Sequence, residues 1–222
     1  MERTTFKLRR LTRKELPSDT LELARFLIGI VVVHDLPEGR LSGRIVEAEG
    51  YPPGDSAGHH FRGPTPRNHS LFLRHGHVYV YFNYGMHFML NISSECAGVG
   101  GGVLIRALEP QEGIDLMQRH RKSTELRDLT RGPGRLAAAL RIDRSLDGLD
   151  LFSRGPLWLA KMVHAKSSGR AITQEAVVAC TVRIGITRAA DKLFRFYERG
   201  SPFVSRPKRL LESSPAAPKP EK

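Results

Sequence analysis

The chain has 222 residues, 40% of them hydrophobic, with 35 Lys and Arg against 23 Asp and Glu, a formal charge of +12. That size suits one domain with a sizeable core, and the charge balance points to a polyanionic partner such as nucleic acid. A membrane-spanning helix is excluded, because the longest apolar run, Phe26 to Val33, covers eight residues where a span needs about 20.

Arginine outnumbers lysine 26 to 9, and guanidinium forks suit phosphates and base edges bidentately. Cys96 and Cys180 are single, with no Cys-x-x-Cys, so a reducing compartment is expected, with neither a disulfide framework nor a zinc site. The basic N-terminus runs into Leu16-Pro17-Ser18-Asp19 rather than a signal-peptide core, and a bacterial-type cytosol or nucleoid is the expected location. The pairs His59-His60 and His75/His77 lack further ligands at helical or hairpin spacing; no metal and no cofactor are expected.

Residues 1–17 are polar and basic and read as an N-terminal arm, solvated or in contact with phosphates. Asp19 and Glu22 cap a short helix carrying Leu21, Leu23, Ala24 and Leu27, ended by Gly29. Ile30 to His34 is a strand, Leu36 to Gly39 a turn, and Arg40 to Glu49 an antiparallel return. A loop rich in Pro, Gly and His runs from Tyr51 to about Asn68, the kind of segment that carries sites. Val78 to Asn83 and His87 to Ser93 form a hairpin around Tyr84-Gly85, and Ala97 to Gly102, with four glycines, reads as a flexible connector. Val103 to Leu108 is a third strand, Pro110 starts a helix to about Arg121, and Gly132-Pro133-Gly134 leads into another from Arg135 to Arg141. Ala176 to Ile186 and Leu193 to Glu198 are late strands, and residues 206–222 read as a disordered tail. The fold expected is α+β: a single domain over 18–205 with a mixed, mainly antiparallel sheet, surrounding short helices and a protruding hairpin.

Three groups carry chemistry. Glu47 and Glu49 share a strand face, where each raises the other's proton affinity; Gly50-Tyr51-Pro52-Pro53 then presents Glu49 at a strand rim beside a ring, poised as a general base. Tyr79 and Tyr81 share another face, Tyr79 suiting the core, while Tyr84 at the hairpin tip, beside Met86, can wedge between base steps. Arg106 in an apolar strand needs a carboxylate or phosphate partner, and Arg131 and Arg135 flank a glycine-rich helix start able to bind an anion.

Arg44-Ile-Val-Glu-x-Glu-x-Tyr51, Thr65-Pro-Arg-Asn68, Tyr79-Val-Tyr-x-x-Tyr-Gly-Met86, Asn91-Ile-Ser-Ser94, Leu104-Ile-Arg-Ala-Leu-Glu-Pro110, Gly132-Pro-Gly-Arg-Leu136 and Arg199-Gly-Ser-Pro-Phe-Val-Ser205 follow one another in an order that resembles the alkyladenine (3-methyladenine) DNA glycosylase family of the mammalian type. The resemblance runs from about Leu23 to Ser205. It implies a monofunctional base-excision repair enzyme that flips a damaged purine from duplex DNA and hydrolyses its N-glycosidic bond; separately, a monomer is expected. It assigns Glu49 and Arg106 to the chemistry, Tyr51, His60, Tyr81 and Asn91 to the base pocket, and Tyr84 with Met86 to intercalation; Arg67, Arg131 and Arg135 are expected on the DNA backbone. His60 is chosen over His59 by its spacing to Arg62-Gly63, and His87 and the glycine-rich segment depart from the family pattern.

No lysine lies between Lys14 and Lys122, so no amine is at hand for a Schiff base in that segment, and no lyase step is expected. Two rival readings remain open: a non-catalytic binder of structured nucleic acid on the same scaffold, and a metal-dependent nuclease using Glu47, Glu49 and His60.

Overall fold

The computed structural model describes residues 6–83, 85–164 and 177–205. Their strands form one antiparallel sheet: β1 (Phe6–Arg10), β2 (Val31–Leu36), β3 (Gly39–Tyr51), β4 (Val78–Asn83), β5 (His87–Ser93), β6 (Gly102–Glu112), β7 (Leu157–His164), β8 (Val178–Thr181) and β9 (Arg195–Glu198). The order is β1-β7-β2-β3-β6-β5-β4, and β9 joins the far half of β3 and carries β8 beyond it. Helices α1 (Thr20–Phe26), α2 (Ile114–Arg121) and α3 (Pro133–Ala139) complete an α+β domain. No helix among the described residues is long and apolar enough to cross a membrane.

Local chemistry accounts for most boundaries. The Asp19 carboxylate accepts the backbone N–H of Leu21 and Glu22, capping α1, which sends Leu23 and Ala24 into the core. Pro133 occupies the first turn of α3, where its missing N–H costs nothing, and Leu136, Ala137 and Ala139 face inward. Gly134 lies so close to His87 that a Cβ would stand 2.8 Å from the ring, and so the helix start is seated against the β4–β5 hairpin.

Several sequence expectations are corrected. Residues 6–10 are an edge strand on β7 rather than part of a loose arm, with Leu11 and Leu16 buried behind it. The alternation is half hidden by Lys7, Arg9 and Arg10, charges that suit an open sheet edge. Pro110 stays in β6 opposite Gly43, beside a register shift where a missing N–H is tolerated, and α2 starts only after Gly113 turns left-handed (φ 73°). The late strands are shorter than expected, and β7 was not anticipated. Gly100, Gly101 and Gly102 are buried, and a Cβ on them would stand 2.6 to 2.7 Å from His60 and Phe72, Ser94, and Leu71 respectively. Glycine there answers to close packing rather than to a need for flexibility. The expected tail at 206–222 and Tyr84 lie outside the described residues.

The sheet has a dry face and a working face. Val78, Val80, Leu90, Ile92, Val103 and Ile105 alternate into the main core with α1 and α3. Tyr79, Asn91, Leu104 and Glu49 are register partners across β4, β5, β6 and β3, and pleat alternation turns them to the opposite face. Register shifts on either side of Glu47 change the phase, so that Ile45 and Ala48 both reach the core while Glu47, Glu49 and Arg106 converge on the working face.

Candidate active site and nucleic-acid interface

Glu49 lies near the far end of β3, clasped between β6 and β9, with no exposed surface. Its Oε2 accepts the Tyr51 hydroxyl at 3.0 Å and Arg106 Nη1 at 3.1 Å, and its Oε1 accepts the Ile184 backbone N–H at 2.8 Å. An ionised carboxylate offers about four lone-pair positions, so these three donors leave one on Oε1. Burial and the Glu49 charge together push the Tyr51 phenol up, which keeps it a hydrogen-bond donor. Burial alone would lower the Arg106 guanidinium, but Glu49 and Glu47 outweigh it and hold the cation firmly charged.

Glu47 makes a different set of contacts. Its carboxylate accepts Arg106 Nε at 3.0 Å, Arg195 Nε at 2.6 Å, the Ser205 hydroxyl at 2.8 Å and the Ser205 N–H at 2.6 Å. The two acids therefore do not simply face one another: Arg106 forks between them, and Glu47 ties the segment ending at Ser205 to the sheet. Arg106 finds the carboxylate partner that its apolar strand demanded.

The aromatic group sits on the same face. Tyr79 is buried and stacks on Tyr81 with ring centres 5.5 Å apart. His59, reaching over from the loop after β3, packs edge-on against Tyr81 at 4.4 Å and shares a 3.0 Å hydrogen bond between its Nδ1 and the Tyr79 hydroxyl. Burial and then the charge of Arg67 push His59 below its usual range, favouring the neutral ring. His60 turns the other way: it is buried, with its Nε2 2.9 Å from the Pro52 carbonyl oxygen and Gly100 against its Cβ. Asn68 fixes the loop by donating to the carbonyls of His59 and Gly63 at 2.8 and 3.1 Å. Asn91 is buried and donates to the Tyr79 and Met89 carbonyls at 3.2 and 3.3 Å. A cleft of about 290 Å³ opens beside this group, lined by His59, Phe61, Arg62, Arg67, Tyr79 and Arg188 among others.

Around the cleft the surface is apolar and basic at once. Phe61, Phe82 and Met86 are 48%, 46% and 69% exposed, high for large apolar side chains. Arg67 is exposed beside the hairpin and donates to the Phe82 carbonyl at 3.3 Å. Arg131 and Arg135 hold Asp128 at 2.7 and 3.2 Å, at the helix start seated on the hairpin. Among the described residues, no three His, Cys, Asp or Glu side chains gather as a metal site would require.

Sequence reasoning thus brought out Glu49, Tyr51, Tyr81, Asn91 and Arg106, which the fold gathers on one face. It overlooked Ile184 and Arg183, which reach the site from a loop more than 130 positions away in the chain, and no local signal marks such a contact.

Residues 14–202 match the model of the methylpurine-DNA glycosylase (MPG) family. A mouse protein named DNA-3-methyladenine glycosylase is 43% identical over 205 residues, covering 86% of this chain and 59% of its own length. Proteins of Mesorhizobium japonicum and Paraburkholderia phytofirmans, both named "Putative 3-methyladenine DNA glycosylase", are 61% identical over 91% of this chain and 93% of theirs, and 50% identical over 90% of each. On that match and these identities, the chain belongs to the methylpurine-DNA glycosylase family.

Proposed function

We propose that the chain is a monofunctional base-excision enzyme that everts a damaged purine nucleotide from duplex DNA and hydrolyses its N-glycosidic bond, with Glu49 activating the water. The observation that carries the reading is the Glu49 carboxylate: it is buried, oriented by three donors and left with one open lone-pair position on Oε1. A water held there can attack the sugar C1′ as the C–N bond breaks, giving its proton to the carboxylate while the base leaves with the bonding pair. The same negative charge stabilises the oxocarbenium-like transition state, and a positioned base contributes roughly 10²–10⁴ in rate. The carboxylate is closed to solvent, so in this reading entry of the nucleotide displaces side chains that cover it.

The rings serve as walls of the base site. Stacking contributes about 1–3 kcal/mol per base, enough with a wedge to offset an extrusion that costs a few kcal/mol, least for damaged bases. Alkylated purines are cationic and gain further from aromatic faces. The pocket-histidine role, assigned to His60 by spacing, passes in this proposal to His59, whose ring meets Tyr81 and lines the cleft. Asn91 orders the floor, Met86 and Tyr84 at the hairpin fill the vacated stack, and Arg67, Arg131 and Arg135 take phosphates. A Schiff base has no part in this scheme; borohydride trapping on damaged duplex is expected to give no covalent adduct.

The test is incubation with duplexes carrying hypoxanthine, ethenoadenine or a methylated purine, followed by alkaline cleavage at abasic sites. Excision by the parent and its loss in Glu49→Gln support the reading; near-normal single-turnover excision by the variant removes Glu49 from the role.

A further inference from the structure

We infer that Arg183 is a positioning residue, a buried guanidinium that sets both the Tyr51 ring and the donor on Glu49 Oε1. The inference rests on the function proposed above and deepens it. The Arg183 side chain is wholly buried. Nη1 donates to the Gly50 carbonyl at 2.9 Å and pairs with Asp55 Oδ2, and Nη2 donates to the Ala189 carbonyl at 3.3 Å. Its central carbon stands 4.5 Å from the centre of the Tyr51 ring and 5.2 Å from that of Phe194. One planar cation thus joins the end of β3, the loop after it and the 183–189 loop, with one face of Tyr51 braced against it.

Each tie has a consequence at the acid. Bracing Tyr51 fixes the ring that donates to Glu49 Oε2, and it leaves the other ring face as the one available to a base. Anchoring residue 183 fixes the next N–H, that of Ile184, on Glu49 Oε1, the oxygen that would hold the water. A structural ion pair would need only Asp55. The additional carbonyls and rings are what a fork supplies and a lysine cannot, because an ammonium is a point charge on a flexible stem.

The experiment compares Arg183→Lys with Arg44→Lys, a control that weakens the half-buried contacts of Arg44 with Glu109 and Glu198 at the opposite half of β3. Single-turnover excision of ethenoadenine, lesion-duplex Kd and Tm are measured for both. Arg183→Lys is expected to stay within about three-fold of the parent in Kd and to lose about ten- to hundred-fold in rate, since sub-ångström misplacement of reacting groups carries costs of that order. Arg44→Lys is expected to keep the parental rate even where its Tm falls as far. Should Arg183→Lys not fold, Asp55→Asn loosens the same guanidinium with a near-isosteric side chain and is expected to shift the rate in the same direction. A folded Arg183→Lys or Asp55→Asn with the parental rate, or a rate loss matched by Arg44→Lys at equal Tm, overturns the inference. If the parent itself releases no base, the proposed function has failed instead.

Discussion

Glu47 and Glu49 stand two positions apart on one strand, both with no exposed surface and both touching Arg106, yet they occupy different kinds of environment. Four donors hold the Glu47 carboxylate, two of them guanidinium groups and two from Ser205, with three of the four on Oε1. Three donors hold Glu49, and one of these is a phenol on a partly open ring. Spacing alone cannot tell such acids apart; the identity and number of their donors can. A carboxylate strapped by two guanidinium groups and a distant chain segment is a fastener, whereas one held by a phenol whose ring is partly open is the better candidate to meet a substrate.

The comparison breaks most sharply under isosteric substitution. Glu49→Gln keeps the shape and removes the proposed base, so excision is expected to fall by about 10²–10⁴ while lesion-duplex affinity stays within a few-fold. Glu47→Gln leaves Arg195 and part of Arg106 without their counter-charge in the interior, a loss of about 3–5 kcal/mol. Urea unfolding is expected to report that loss, with a folded fraction at low temperature that still excises. If Glu47→Gln is stable but inactive, or Glu49→Gln unfolded, the two roles are exchanged.

A third substitution sharpens the reading of the loop beside them. Gly100→Ala would drive a methyl group to 2.6 Å from His60 and Phe72, and overpacking of this kind costs about 1–3 kcal/mol. A flexible connector would accept the alanine without change in Tm. The same measurement bears on how much of the molecule was legible in its sequence. Period-two runs gave away β4, β5 and the middle of β6, and Asp19 and Pro133 announced their helices, because those signals are local. The strand at 6–10 was obscured because its charges suit an edge, and Pro110 misled because the register shift beside it, set by the partner strand, excused its missing N–H. At the site, Glu49 stood out by its setting among Gly50, Tyr51 and two prolines. The fastening of Glu47 by Arg195 and Ser205 depends on contacts about 150 residues away in sequence, beyond any spacing rule.

For Tyr84 and Met86 the expected effect is smaller. Tyr84→Ala and Met86→Ala should leave excision from single-stranded or abasic-flanked substrates nearly intact while weakening lesion-duplex binding by about 1–3 kcal/mol for the tyrosine, the scale of one stacked base. The fluorescence rise of a flipped 2-aminopurine is expected to vanish in Tyr84→Ala. An unchanged signal would remove the wedge while leaving the Glu49 chemistry standing.

The smallest effect separates His59 from His60. Burial lowers the His60 ring below its ordinary value of 6.5, so the folded chain binds fewer protons than the unfolded one as the pH drops. Its stabilisation is complete above 6.5 and drains away as the pH falls from there through the lowered folded value. Tm is expected to decline between pH 7.5 and 5.5, and His60→Gln should flatten that slope more than His59→Gln, which replaces an exposed residue. Only His59→Gln should also change the pH profile of excision, because His59 alone of the two touches Tyr81 and lines the cleft, whereas His60 bonds to Pro52 behind it. A profile altered by His60→Gln and untouched by His59→Gln would return the pocket role to His60, the residue that spacing had favoured.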